Sequence, residues 1–102
     1  MKKDGTAKSA VFEPTVLRVF ETSLHSDGAI AKGRIVQGGF RTGDAIEIIR
    51  HGKVVKRATV AEIEINDKPV NEARQGDRAM LILRGTAKGD IHNFDIVQKT
   101  RA

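Results

Sequence analysis

The chain has 102 residues, and its 18 basic side chains outnumber the 13 acidic ones, which gives a formal net charge of +5 at pH 7. It contains no cysteine, so disulfides, thiolate metal sites and thiol nucleophiles are all excluded. The length is typical of one compact domain. The longest apolar run, residues 79–83, is far shorter than the ~20 residues of a membrane-spanning helix. We therefore expect a single cytoplasmic domain that does not enter a membrane.

The first eleven residues are basic and polar, and no apolar stretch follows them as it would in a signal peptide. We interpret residues 1–11 as a flexible basic leader, residues 12–99 as one folded domain and residues 100–102 as a short tail. Ten glycines and two prolines divide the domain into short β-branched runs with almost no helical periodicity. This pattern predicts a protein built from strands.

Six strands are predicted, at residues 15–21, 29–36, 45–50, 53–65, 79–84 and 95–99. One face of the second strand carries Ala29, Ala31 and Gly33, and such small residues suit the crowded interior of a narrow barrel. The third and fourth strands form a hairpin, because His51 and Gly52 make a two-residue loop of the primed-turn type. The fifth strand is apolar between its ends and therefore central.

Six strands separated by turn signals predict an all-β fold, a small six-stranded closed antiparallel β-barrel. An open sandwich uses more strands and more aromatic filling, whereas this chain has four Phe and no Tyr or Trp. Residues 66–69 are interpreted as a turn, and residues 70–75 form a helix-like stretch too short to affect the architecture. We expect the four phenylalanines to be needed for the core, which leaves no platform for stacking bases: Phe12, Phe20, Phe40 and Phe94.

Segments that could hold a nucleotide or a metal do not meet the requirements of those sites. Residues 28–35 superficially resemble a phosphate-binding P-loop, but Arg34 and Ile35 stand where that loop needs Lys and then Ser or Thr. No two of the three histidines share a spacing typical of metal ligands: His25, His51 and His92. We therefore expect no bound nucleotide, no metal and no other cofactor.

Candidate catalytic groups are equally weak. Ser23, His25 and Asp27 lie too close together along one strand and turn to form a catalytic triad. Glu62 and Glu64 alternate with apolar residues, which is typical of solvent-facing side chains beside basic residues of the next strand. We therefore expect no catalytic residues and no enzymatic activity.

Charge is unevenly distributed along the chain. Residues 41–57 carry five basic and two acidic residues, residues 58–77 carry five acidic and two basic ones, and residues 78–102 carry five basic and two acidic ones. The densest positive cluster is the hairpin tip at residues 50–57. Two interpretations stay open: the tip contacts phosphates, or it is a solvated hairpin whose charges keep a sheet edge from pairing with other chains.

Three segments carry more specific patterns. Residues 32–48 combine a Gly-Arg strand with a Gly turn, a Gly-Asp turn and an alternating strand; residues 71–85 contain an Ala-x-x-Gly-Asp turn and a Leu-Arg-Gly strand end; residues 89–97 lead into the last strand. Over residues 12–99 this order resembles the second domain of elongation factor Tu. The resemblance implies the six-stranded barrel of translation proteins. It also places four glycines at tight corners where φ is expected to be positive: Gly38, Gly43, Gly76 and Gly85.

In translational GTPases this barrel docks against the small ribosomal subunit and helps to hold the aminoacyl end of tRNA. Three features depart from the pattern. Leu17 and Arg18 stand where the elongation factor has two acidic residues, and the turn that follows, residues 22–27, is about two residues longer than usual. Phe94 stands where the family usually has glycine, so we expect Asn93 to take the positive φ there.

Together, the resemblance and the basic clusters predict a stand-alone, non-catalytic barrel of the translation type that binds RNA or a ribosomal component, because 102 residues leave no room for the GTPase domain. The candidate contacts are all basic: Arg18, Lys32, Arg34, Lys53, Lys56, Arg57 and Arg84. The alternative is a protein–protein interaction or regulatory module that retains the barrel without RNA binding. The acidic strand region from Glu62 to Asp77 and the change at residues 17–18 favour that alternative.

Overall fold

The computed structural model describes residues 15–100, which contain nine strands and no helix. They are β1 (Val16–His25), β2 (Gly28–Gln37), β3 (Gly39–Arg41), β4 (Ala45–Arg50), β5 (Lys53–Ile65), β6 (Lys68–Val70), β7 (Glu72–Arg74), β8 (Arg78–Arg84) and β9 (Ile96–Lys99). The predicted leader, the first residues of the predicted domain and residues 101–102 of the predicted tail lie outside the described range. Within that range, no helix is long and apolar enough to cross a membrane.

Six of the strands close into a barrel. β1 pairs with β2, β2 with β8, β8 with β5, β5 with β4, β4 with β9, and β9 with β1, always antiparallel. Each of the six predicted strands corresponds to one strand of this ring, so the predicted closed six-stranded antiparallel barrel is confirmed. β6 folds back on the end of β5, and β3 and β7 form a separate two-stranded ribbon.

The barrel interior is filled by the alternating apolar face of the strands. On β2, Ala29, Ala31 and Ile35 are buried together with Gly33, as the small-residue face of this strand predicts. The same core cluster includes Phe40 of β3 and its cross-strand partner in β7, so the ribbon packs on the barrel core. Alternation puts the neighbouring residues of each strand on the outside, where a binding surface can form.

The predicted tight turns have the left-handed backbone that they require. His51 and Gly52 adopt φ values of +53° and +76°, which suits the primed turn of the β4–β5 hairpin. The four glycines singled out by the family resemblance all have positive φ, between +73° and +94°. Turn chemistry was therefore a reliable guide to where the strands end.

Two predicted turns are shorter in the structure. β1 continues to His25, because residues 22–25 pair with the beginning of β2, and only residues 26–27 form the turn. Asn66 and Asp67, with φ of +54° and +64°, make the turn after β5 by themselves. Pro69 then lies in β6, opposite Glu64, in an edge strand that tolerates a residue without an N–H donor.

The helix-like interpretation of residues 70–75 is wrong. Glu72–Arg74 form β7, in which Ala73 lies opposite Phe40 and both side chains are fully buried. A single helical turn could not satisfy its backbone and bury Ala73 at the same time. Pairing with β3 does both, so a partner distant in sequence outweighs the local pattern.

Candidate functional site

Three arginines lie side by side on the outside of the barrel. Arg18 of β1 is opposite Arg34 of β2, and Arg34 is opposite Arg78 of β8. Directly opposed residues project to the same face of a sheet, and all three residues are exposed. None of them forms an ion pair with a carboxylate of residues 15–100. We refer to these three residues as the arginine row.

Two exposed phenylalanines flank the arginine row. Phe20 lies in a β-bulge of β1, is 45% exposed, and has the guanidinium carbon of Arg78 at 5.6 Å from its ring centroid, within range of a cation–π contact. Phe94 is 89% exposed. The expectation that the phenylalanines are needed for the core is therefore wrong for these two, and Phe40 is the buried one among residues 15–100. Phe12 lies outside the described part of the chain.

Arg18, Arg34 and the two exposed phenylalanines enclose a shallow cavity of about 300 Å³, a volume at the lower end for small-molecule sites. It is lined by Arg18, Val19, Phe20, Arg34, Val36 and Phe94. Guanidinium groups and flat apolar surfaces thus line the same depression. Such a lining can bind a ligand that carries both a negative charge and a planar apolar group.

A buried carboxylate supports the loop behind this cavity. Asp95 is 3% exposed, and its two oxygens accept hydrogen bonds from Arg50 Nε at 2.9 Å and Arg50 Nη2 at 2.7 Å. The backbone N–H of His92 donates to the same carboxylate at 2.8 Å. Burial alone would raise the pKa of Asp95, but these hydrogen bonds and the charge of Arg50 outweigh it and hold the pKa below its usual value. The hydrogen bond to Asp95 in turn raises the pKa of Arg50.

Phe94, and not Asn93, adopts the positive φ in this loop, with a value of +75°. The reason is its pairing with β1. The N–H of Phe94 donates to the carbonyl of Val19 at 2.8 Å, and the N–H of Val19 donates to the carbonyl of Asp95 at 3.0 Å. These two hydrogen bonds set the backbone direction on both sides of the Phe94 side chain, so the left-handed conformation falls on residue 94.

The predicted basic contacts are divided between separate places. Arg18, Lys32 and Arg34 share the outer face of β1 and β2, where Lys32 Nζ lies 3.2 Å from the Glu21 carboxylate. Arg84 is exposed at the other end of β8, six residues and roughly 20 Å along the strand from Arg78. The structure thus joins the first three and leaves Arg84 apart.

The hairpin tip is less concentrated in space than in sequence. Lys56 and Arg57 are consecutive and lie opposite Ile48 and Glu47, next to a register shift in the β4–β5 pairing. Consecutive residues of a strand project to opposite sides. Lys56 Nζ lies 3.7 Å from the Asp90 carboxylate, and Arg57 Nε lies 3.1 Å from that of Glu47. Of the three predicted hairpin contacts, Lys53 therefore has no acidic partner among residues 15–100.

Sequence reasoning missed Arg78 and the two exposed phenylalanines. Arg78 comes directly before buried Ala79, so alternation alone places it on the outer face. Its position opposite Arg34 depends on how β2 and β8 align, which no local pattern shows. At the departure from the family pattern, Leu17 is fully buried and only Arg18 reaches the surface.

One group of side chains has the composition of a metal site. The potential ligand atoms of His25, Asp27 and Glu62 lie within 4.8 Å of one another, because β5 passes beside the β1–β2 turn. However, His25 Nδ1 already accepts the Asp27 N–H at 3.1 Å, and it lies 3.9 Å from the Asp27 carboxylate. Closing an exposed turn accounts for the positions of His25 and Asp27.

Comparisons with known proteins agree with the barrel and its motifs. The family described as "Elongation factor Tu domain 2" matches residues 28–97. Among solved structures, the crystal structure of translation elongation factor SelB from Methanococcus maripaludis, in its apo form, is similar with a TM-score of 0.75 and 19% identity over 87% of this chain. At that identity the likeness shows the fold, and the chain spans 19% of the length of that factor. Because the family match covers most of the barrel, the chain belongs to the elongation factor Tu domain 2 family.

Proposed function

We propose that this barrel is a non-catalytic RNA-binding module that holds an RNA phosphate backbone on the arginine row. The observation that carries the proposal is the row itself, in which Arg18, Arg34 and Arg78 oppose one another across three strands without carboxylate partners among residues 15–100. Like charges directly opposite one another repel and destabilise a sheet. Within the protein Arg34 donates a hydrogen bond to the Gly76 carbonyl at 3.4 Å and Arg78 contacts the Phe20 ring, but neither contact neutralises the charge. A bound polyanion would remove that repulsion.

The geometry of the row suits a chain of phosphates. Adjacent strands are about 4.8 Å apart, so the row presents a line of positive charges across the sheet. Arginine binds phosphate oxygens through two parallel N–H donors, which makes it well suited to this contact. The family relationship directs the proposal to RNA of the translation apparatus, either tRNA or ribosomal RNA. The net charge of +5 would speed the encounter.

The test compares two variants with the same net charge. The arginine-row variant replaces the three arginines with Gln at Arg18, Arg34 and Arg78. The control variant makes the same replacement at Lys53, Lys56 and Arg57. Binding of a folded tRNA is measured by fluorescence anisotropy at about 50 and 200 mM salt. We expect the arginine-row variant to bind at least about tenfold more weakly, with the slope of log K against log salt shallower by about 2 to 3. In the control variant, both the loss of affinity and the change in slope should be less than half as large.

Three outcomes would contradict the proposal. Equal losses in both variants would show that net charge alone drives binding. An unchanged salt slope in the arginine-row variant would show that these three residues do not contact phosphates. Failure of the unmodified protein to bind tRNA at the lower salt concentration, together with capture of a defined protein that survives nuclease treatment, would favour the interaction-module alternative.

A further inference from the structure

Phe94 places a bulky, exposed side chain at a backbone position where glycine would be free of strain. It is 89% exposed, so its ring gains almost nothing from burial. Its φ of +75° lies in the left-handed region, where a bulky side chain is an outlier and glycine is free of strain. A residue whose backbone conformation is strained and whose ring gains nothing from burial is the kind of feature found at binding sites.

The backbone beneath Phe94 is firmly held. Asp95 N–H donates to the His92 carbonyl at 3.1 Å, and the Asp95 carboxylate closes the same turn by accepting the His92 N–H. Arg50 donates two hydrogen bonds to that carboxylate. On the other side, Phe94 N–H is bonded to β1 through Val19. The ring therefore projects from a preorganised turn, and binding to it costs little backbone entropy.

The ring also stands between two depressions. On one side is the cavity that Phe94 shares with Arg18, Arg34 and Phe20. On the other is a cavity of about 250 Å³ lined by Arg50, His51, His92, Asn93, Phe94 and Asp95. An aromatic face thus lies within the reach of one nucleotide from the arginine row. Bases stack on such aromatic side chains when they are unpaired, whereas bases inside a duplex are not accessible.

We propose that Phe94 is a stacking platform for one unpaired base of the RNA whose phosphates lie on the arginine row. This inference rests on the proposed function and narrows its partner to RNA that offers an unpaired base near the bound phosphates, such as a loop, a bulge or a single-stranded end. A continuous duplex contacts the arginine row alone. The arginines thus supply affinity for any RNA, and Phe94 supplies the preference for unpaired bases.

The decisive variant is Phe94→Gly, because glycine suits the positive φ and removes only the ring. Its free energy of unfolding should equal or exceed that of the unmodified protein. Leu24→Ala is the matched control, since Leu24 is also a large exposed apolar residue, at 57%, and lines neither cavity that contains Phe94. The probes are a single-stranded RNA of about 12 nucleotides and the blunt duplex that it forms with its complement.

We expect Phe94→Gly to bind the single strand about tenfold more weakly while duplex binding and both salt slopes stay unchanged. A 2-aminopurine base in the single strand reports stacking directly through loss of its fluorescence. The protein has no Trp or Tyr that would interfere. At saturating protein, this quenching should be present with the unmodified protein and with Leu24→Ala, and absent with Phe94→Gly.

The outcomes separate this inference from the function on which it rests. If Phe94→Gly retains full quenching and single-strand affinity while the arginine-row variant loses binding, the stacking role is overturned and the proposed function stands. If Phe94→Gly weakens single strand and duplex equally, the preference for unpaired bases is overturned. If the unmodified protein binds neither probe at about 50 mM salt, both proposals are overturned.

Discussion

Gly33→Ala is expected to lower the free energy of unfolding by about 3 kcal/mol. A Cβ added at this position would lie 2.1 Å from the carbonyl oxygen of Arg18 and 2.6 Å from Leu17 Cδ2. The first of these atoms is backbone, so a side-chain rotation cannot relieve the clash. β1 would have to move away from β2 in the middle of the closed barrel. Urea denaturation at neutral pH measures the loss.

Gly52→Ala is the control for this prediction. Gly52 has a positive φ of +76°, and a Cβ there would have open space around it. Its replacement should therefore cost only the conformational strain, about 1 kcal/mol. Similar losses at both positions would show that β1 and β2 can separate at little cost. Because residue 33 directly precedes Arg34 and a Cβ there would meet the backbone of Arg18, we also expect Gly33→Ala to weaken RNA binding by more than Gly52→Ala.

The second large effect is expected at Asp95. Asp95→Ala should destabilise the fold by about 3 kcal/mol, because it removes a buried carboxylate that accepts two charge-assisted hydrogen bonds from Arg50. It also removes the acceptor of the His92 N–H and thereby loosens the turn that presents Phe94. Urea denaturation measures the loss of stability. Reduced quenching of the 2-aminopurine probe would report that the turn no longer presents the Phe94 ring. A loss of stability below about 1 kcal/mol would contradict this role.

The same carboxylate predicts a pH dependence of stability. Because the pKa of Asp95 is lower in the folded protein than in the unfolded chain, the unfolded chain binds the proton more readily in acid. Its contribution is therefore complete above about pH 4, the usual range for aspartate, and is lost as the pH falls through the folded pKa. In Asp95→Asn this part of the acid destabilisation should be missing.

Urea denaturation at about pH 7 and pH 3 measures this difference. Glu21→Gln is the control, since the Glu21 side chain is 57% exposed and its ion pair with Lys32 should contribute no more than about 0.5 kcal/mol. The Asp95→Asn variant should therefore show a smaller change between the two pH values than either the unmodified protein or Glu21→Gln. If the free energy of unfolding changed equally between the two pH values in all three proteins, Asp95 would not contribute to the acid destabilisation.

The β-strands were predictable because their signals are local. Short β-branched and apolar runs between turn residues marked all six strands of the ring, and His51-Gly52 marked the hairpin between β4 and β5. The prediction failed at residues 70–75, where burial of Ala73 against Phe40 forms a strand that the local pattern does not show. It failed again in the length of β1, since pairing with β2 extends that strand to His25.

The candidate site was predictable only in part. Arg18, Lys32 and Arg34 were identified as basic residues in strands, and the register of β1 with β2 does place them together. Lys56 and Arg57, adjacent in the sequence, project to opposite sides of β5. Because phenylalanines are scarce, the composition favoured a place in the core for all of them. Phe20 and Phe94 are exposed nevertheless, because the burial of each ring depends on which strands pack against it.

The composition and the order of residues were enough to specify an all-β barrel with a basic surface. Strand type and turn position depend on neighbouring residues, and these are visible along the chain. The arginine row and the exposed Phe94 ring depend instead on strand register and on the Arg50–Asp95 ion pair, which join segments 16 to 45 residues apart. Barrel closure alone brings such distant backbones to a defined alignment, so the tertiary structure turned scattered charges into one surface.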